Sequence, residues 1–147
     1  MDVSAAAVSL ALILVLPLLA MRNVPTDRVV PVRRWGRFHR ALGPGWHVVW
    51  PILDRAGPGV PLIGHRVTAA DAADGQARAE VFFQILDPQL IGRDLERVDA
   101  IVSQAAVAQL TSLGAGIDAA TWAPEFKARL NRALQGLGLR VTRCQLR

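Results

Sequence analysis

From Val3 to Met21 the chain runs for 19 residues without a charged side chain, and the run includes Leu10, Leu12, Ile13, Leu14, Val15, Leu16, Leu18 and Leu19. Wound as a helix at about 1.5 Å per residue, it reaches across most of the ~30 Å hydrocarbon core of a bilayer. A helix also pairs its own backbone groups, which hydrocarbon cannot do. Pro17 removes one such bond near the end of the run, where the loss is tolerated. The pattern predicts a transmembrane anchor over residues 1–22. A cleaved signal peptide would begin with positive charge and end on small-x-small residues. Here the start holds Asp2, and the end reads Leu18-Leu19-Ala20-Met21-Arg22. A buried core helix would need a polar face, which the run lacks.

The flank after the run is basic. Arg22, Arg28, Arg33, Arg34, Arg37 and Arg40 stand against one acid, Asp27. The positive-inside rule then predicts a single-pass protein of the inner (plasma) membrane, with its N-terminus outside and its domain in the cytoplasm. The same cations, with Trp35 and Phe38 among them, suit contact with anionic headgroups, at about 1 kcal/mol per cation near the surface. The expected membrane-surface residues are Arg22, Arg28, Arg33, Arg34, Trp35, Arg37, Phe38 and Arg40. The plainer alternative is a solvated basic strand and turn.

The 147 residues leave room for one domain, over 23–147, after the anchor. Over the whole chain 17 Lys and Arg outweigh 12 Asp and Glu, and Lys127 is the single lysine. Arginines around Trp35 and Phe38 also suit base stacking. The expected lipid surface is the nearer anion, however, so no nucleic-acid partner is expected. Cys144 is the only cysteine, which excludes an internal disulfide.

The order of elements reads as strands first, then helices, then a strand. Residues 28–35 are valine-rich and extended, and Gly43-Pro44-Gly45 is a turn. Residues 46–50 suggest a strand ended by Pro51, residues 55–61 a loop, and residues 60–67 a strand. Thr68 to Gln76 suggests a hairpin loop around Asp74-Gly75. Val81, Phe83 and Ile85 alternate on one face of a strand over 77–86, which Asp87-Pro88 stops. Val98, Val102, Ala105, Ala106 and Gln109 mark a helix over 95–113. Trp122, Phe126, Leu130 and Leu134 mark a second helix starting near Thr121 or Ala123. Leu139 to Leu146 alternates as a last strand. This grouping argues for an α+β fold: antiparallel strands packed with two or three helices behind the N-terminal transmembrane helix.

No constellation for chemistry stands out. His39, His47 and His65 lack ligand spacing, so no metal is expected. Ser103 and Ser112 lack a nucleophile elbow. Cys144 has no neighbouring histidine, and no glycine-rich phosphate loop exists. No catalytic residue and no cofactor is expected.

Several stretches resemble a known family. Val24-Pro25, Val29-Val30, Arg34 to His47 (Arg-Trp-Gly-Arg-Phe-His-Arg-Ala-Leu-Gly-Pro-Gly-Trp-His) and Trp50-Pro51-Ile52-Leu53-Asp54-Arg55 look like the opening of a stomatin/prohibitin/flotillin (SPFH, band-7) domain. The Val81–Asp87 strand resembles that family's Asp-Pro element. Leu130-Asn131-x-x-Leu134 with Gly138-Leu139-x-Val141 resembles its close. The resemblance makes Gly36, Pro44, Gly45, His47, Pro51 and Asp54 the family's motif turn. Two departures stand out: the Thr-x-Asp strand is blurred into Val67-Thr68-Ala69-Ala70-Asp71, and no coiled coil follows before Arg147. The resemblance implies non-enzymatic work: an oligomerising, membrane-anchored scaffold or regulator that modulates a membrane protein such as a protease or channel. Its implied partners are membrane lipids, itself or a related family member, and that membrane protein. The alternative is an exported small binding domain released after signal cleavage.

Overall fold

The computed structural model describes Val15 and residues 20–70, 78–113 and 119–146. The chain divides into two compact units, Met1–Gly59 and Val60–Arg147.

The first unit is built from short antiparallel strands. β1 (Met21–Val24) pairs with β4 (Gly45–Val48) as a two-stranded ribbon. β2 (Arg28–Arg34) lies between β3 (Arg37–Leu42) and β5 (Asp54–Ala56). Four consecutive residues of β2, Val29 to Val32, are buried, so this strand is covered on both faces. Pro31 has no N–H to give, but its carbonyl accepts from Gly57 N at 2.8 Å. Val24, Val30, Val32 and Leu42 form the unit's small core, with Val49 and Ala56 against it. The register between β2 and β3 slips after Val32, leaving His39 as a bulge.

The second unit begins with the two-residue strand β6 (Val60–Pro61). Its sheet runs β7 (His65–Ala70), β8 (Arg78–Ile85), β9 (Leu139–Leu146), all antiparallel. Ala79, Val81, Phe83 and Ile85 of β8 are buried, as alternation over this stretch requires. β9 is less regular. Phe82 pairs with Arg143 and Phe83 with Val141, so Thr142 is an extra residue. One inserted residue reverses the parity of a strand. Leu139, Val141 and Cys144 therefore share the buried face although 141 and 144 are three apart.

Helices cover that face. Asp87 caps the short helix α1 (Pro88–Ile91), its carboxylate accepting from Gln89 N at 2.9 Å. A 3₁₀ turn over Gly92–Arg97 buries Leu95 and leads into α2 (Val98–Leu113). α2 packs on β7, α3 (Ala119–Leu134) on β9, and the two helices on each other. The buried stripe of α2 is Val98, Val102, Ala106, Leu110 and Leu113, so Leu110 occupies the place expected for Gln109. Trp122, Phe126, Leu130 and Leu134 are the buried stripe of α3. This helix begins earlier than its sequence suggests, so Pro124 lies inside it.

The architecture is α+β, and the transmembrane helix expected over residues 1–22 is not found among the described residues. Among the described residues no helix is long and apolar enough to cross a membrane. Of the anchor expected over residues 1–22, only Val15 and Ala20 to Arg22 lie within the described residues. Met21 and Arg22 are in β1, hydrogen-bonded to β4, and the Ala20 carbonyl accepts from Val49 N at 2.7 Å. Those backbone groups are used in a ribbon of the first unit, not in a helix. The single-pass topology in an inner membrane, and the sidedness derived from it, are therefore withdrawn.

Candidate functional site

Strands β2 and β3 are joined by the two-residue loop Trp35-Gly36, with φ of 55° and 78°. A two-residue hairpin of this kind needs left-handed backbone at both positions, which is why Asn-Gly and Asp-Gly dominate such turns. Gly36 meets the requirement without strain. Trp35 is a bulky residue held where L-residues clash with their own carbonyl, at a cost of about 1–2 kcal/mol. Its indole recovers little of that by burial, because Trp35 is 82% exposed.

The base of the loop is clamped. Arg34 Nε donates to Asp54 Oδ1 at 2.7 Å and Arg34 Nη2 to Oδ2 at 3.2 Å. The two residues are cross-strand neighbours between β2 and β5. The Asp54 side chain is fully enclosed, whereas that of Arg34 is partly exposed. Hydrogen bonding to the guanidinium holds the Asp54 carboxyl below its ordinary value, outweighing the effect of burial. The same contact raises Arg34. Asp54 N and Leu53 N both donate to the Trp50 carbonyl, at 2.8 and 3.2 Å, which folds residues 50–54 into a tight turn.

This register brings two turns together. Arg34 ends β2 and Asp54 begins β5, so the Trp35-Gly36 turn and the turn over residues 50–53 lie at one end of the sheet. That end displays Trp35 together with Ile52, which is 87% exposed, and the partly exposed Trp50 and Leu53. Arg33 and Arg37 flank the hairpin, both exposed. On the β1–β4 ribbon, Met21 pairs with Val48 and Asn23 with Trp46, so these four share one face. Trp46 on that face is 68% exposed. Charge follows the same division. Residues 20–59 hold seven arginines against two acids, whereas residues 60–147 hold ten cations against nine acids.

The residues expected at a membrane surface thus separate by role. Arg22, Arg28, Arg33 and Arg37 are exposed, and Arg28 is 3.9 Å from Asp27. Arg34 serves the clamp. Arg40 is half-buried, with Nη2 donating to the Val48 carbonyl at 2.7 Å and its Nε enclosed without a partner among the described residues. Phe38 is half-buried in β3. The motif-turn residues shape the backbone. Gly36 and Gly45 have positive φ, and Gly45 follows Pro44 to open β4. His47 Nε2 donates to the Gly43 carbonyl at 2.8 Å across this turn, while Pro51 lies within the turn that leads from Trp50 to Asp54.

The histidine pairing in the second unit was not visible in the sequence. His65 Nδ1 lies 2.7 Å from Asp99 Oδ1, and His65 Nε2 lies 2.6 Å from the Pro61 carbonyl. The ring stacks on Phe83 at 4.7 Å. A carboxylate–imidazole pair is half of a catalytic arrangement, but here the far nitrogen is spent on a backbone carbonyl, leaving no contact for a nucleophile. Burial pushes the Cys144 thiol up to about 11, which suppresses its thiolate. Among the described residues no group of three or more His, Cys, Asp or Glu side chains could hold a metal ion.

No family model matches the chain, and no curated protein matches it. The resemblance to the stomatin/prohibitin/flotillin domain therefore has no support beyond the motifs that suggested it, and band-7 membership is withdrawn.

Proposed function

We propose that this chain is a non-catalytic adaptor that docks peripherally on an anionic lipid surface through the aromatic and cationic end of its first unit. The carrying observation is Trp35, displayed in a strained conformation at the same end of the sheet as Ile52 and flanked by the exposed Arg33 and Arg37. A strained, exposed aromatic gains from a partner what it does not gain from its own fold. Tryptophan favours the headgroup zone, where its ring is apolar and its N–H stays wet. The arginines add long-range attraction to anionic lipid. This reading needs no helix across the bilayer.

Sedimentation of the full chain with vesicles tests it. Binding is expected to phosphatidylcholine vesicles containing about one third phosphatidylglycerol, with a blue shift of tryptophan emission, and not to phosphatidylcholine alone. Trp35→Asn combined with Ile52→Asn is expected to abolish it while the circular dichroism spectrum is kept. Equal binding by the double variant would refute the reading. So would retention of a single-stranded oligonucleotide in preference to the vesicles.

A further inference from the structure

A cleft of about 400 Å³ opens in the second unit between the end of α3 and the start of β9. Leu86, Leu139, Gly138, Gln135, Arg132 and Arg140 shape it. Its size is that of small-ligand sites, roughly 300–1,000 Å³. Its walls are fixed by backbone. Leu86 N and Asp87 N both donate to the Gly138 carbonyl, at 2.9 and 3.1 Å. Gly138 has φ of 65°, and a Cβ there would sit 2.7 Å from the Asp87 carbonyl oxygen. On the other wall the Asn131 side chain accepts from Val141 N at 2.8 Å and donates to Val141 O at 3.4 Å. α3 and β9 are thereby held in a set spacing beside the cleft.

The chemistry of the cleft is divided. Leu139 is nearly covered, whereas Leu86 is 59% exposed and presents bare apolar surface. Arg132 and Arg140 supply two positive charges, and among the described residues no acid lines the cleft and neither arginine is ion-paired. The C-terminal end of α3 contributes only about half a negative charge. The balance therefore favours an anion.

We propose that this cleft binds a carboxylate carrying a short aliphatic arm, the carboxylate between Arg132 and Arg140 and the arm over Leu86 and Leu139. Planar guanidinium groups match a carboxylate in geometry as well as charge. Gln135 offers a further amide donor at the rim. The ligand class covers a free aliphatic acid and the terminal carboxylate of a polypeptide ending in leucine. The proposal concerns the second unit alone and does not rest on lipid docking by the first.

Amide chemical shifts of the full chain, titrated with sodium hexanoate, test it. Shifts are expected at Leu86, Gly138, Leu139 and Arg140, saturating in the millimolar range. Hexanol, which has the arm without the charge, should bind roughly ten-fold or more weakly if the guanidinium pair carries recognition. Arg132→Gln and Arg140→Gln alter exposed side chains, so their melting temperatures should match that of the parent, and each should weaken hexanoate by a similar factor. A peptide ending in Leu-Leu with a free carboxylate separates the sources. Tighter binding of the peptide than of hexanoate supports a polypeptide end, and the reverse supports a free acid. Equal binding of hexanol and hexanoate, indifference to both substitutions, or no shift at these four amides with either probe would overturn the proposal. Vesicle binding by the first unit is read separately and can fail or succeed without affecting this result.

Discussion

Trp35 occupies a backbone conformation that glycine or asparagine would adopt with less strain, and it is almost fully exposed. Trp35→Gly is therefore expected to stabilise the hairpin by about 1 kcal/mol by relieving that strain. It should also weaken vesicle binding, a combination that thermal unfolding and sedimentation together can check. Asp54 makes a pH prediction. Its folded value lies below the ordinary 3.8, chiefly through the Arg34 hydrogen bonds. In the interval between the two values the unfolded chain binds more protons, so acid favours unfolding. The contribution is full above about pH 4 by this linkage and is lost as pH falls through the lowered value. Melting temperature measured from pH 6 to pH 2 should show this loss. Asp54→Asn should melt lower at neutral pH and show a shallower decline in acid.

Among the elements, β9 and its contacts order the second unit. Its bulge at Thr142 sets which side chains reach the core, and its outer edge is partly closed by side chains of α3. Asn131 takes both backbone groups of Val141, and Lys127 Nζ donates to the Thr142 carbonyl at 2.7 Å. Closing an edge in this way protects a strand against pairing with other chains. Gly138→Ala should cost roughly 1–3 kcal/mol, because it combines unfavourable φ with a clash against backbone. Phe126 is fully buried in the α3 stripe, stacked on Trp122 at 4.7 Å. Phe126→Ala should cost about 3–5 kcal/mol, the usual range for deleting a buried aromatic ring. Denaturant unfolding measures both.

For the whole molecule, the uneven distribution of charge is the organising feature. The first unit carries nearly all of the positive excess, and Arg22, Arg28, Arg33 and Arg37 are its exposed cations from the N-terminal cluster. At about 1 kcal/mol per cation near an anionic surface, four of them contribute on the order of 4 kcal/mol. Salt shortens the range of that attraction from about 10 Å at 0.1 M to about 3 Å at 1 M. Vesicle affinity is thus expected to fall by roughly a hundred-fold or more across that interval, with a salt-insensitive remainder from the aromatic end. An affinity that held steady in 1 M salt would show that charge is not the main attraction.

The sequence by itself determined the features that depend on near neighbours. Alternation at Val81, Phe83 and Ile85 marked the central strand, spacing at Trp122, Phe126, Leu130 and Leu134 marked α3, and the strand-then-helix order marked α+β. These patterns are local consequences of periods of two and 3.6 residues. The same local reasoning failed where an uncharged run was extended as a helix to Arg22, because pairing with β4 makes Met21 and Arg22 strand. Only tertiary structure joined Arg34 to Asp54 across 20 residues and His65 to Asp99 across 34. It also spent Arg40 on the Val48 carbonyl, inserted Thr142 into β9, and placed Trp35 and Ile52 at one end of a sheet. The Arg34–Asp54 pair, the Thr142 insertion and the shared end of Trp35 and Ile52 follow from strand register, and His65–Asp99 from the packing of α2 on β7; all depend on partners that no short window of the chain contains.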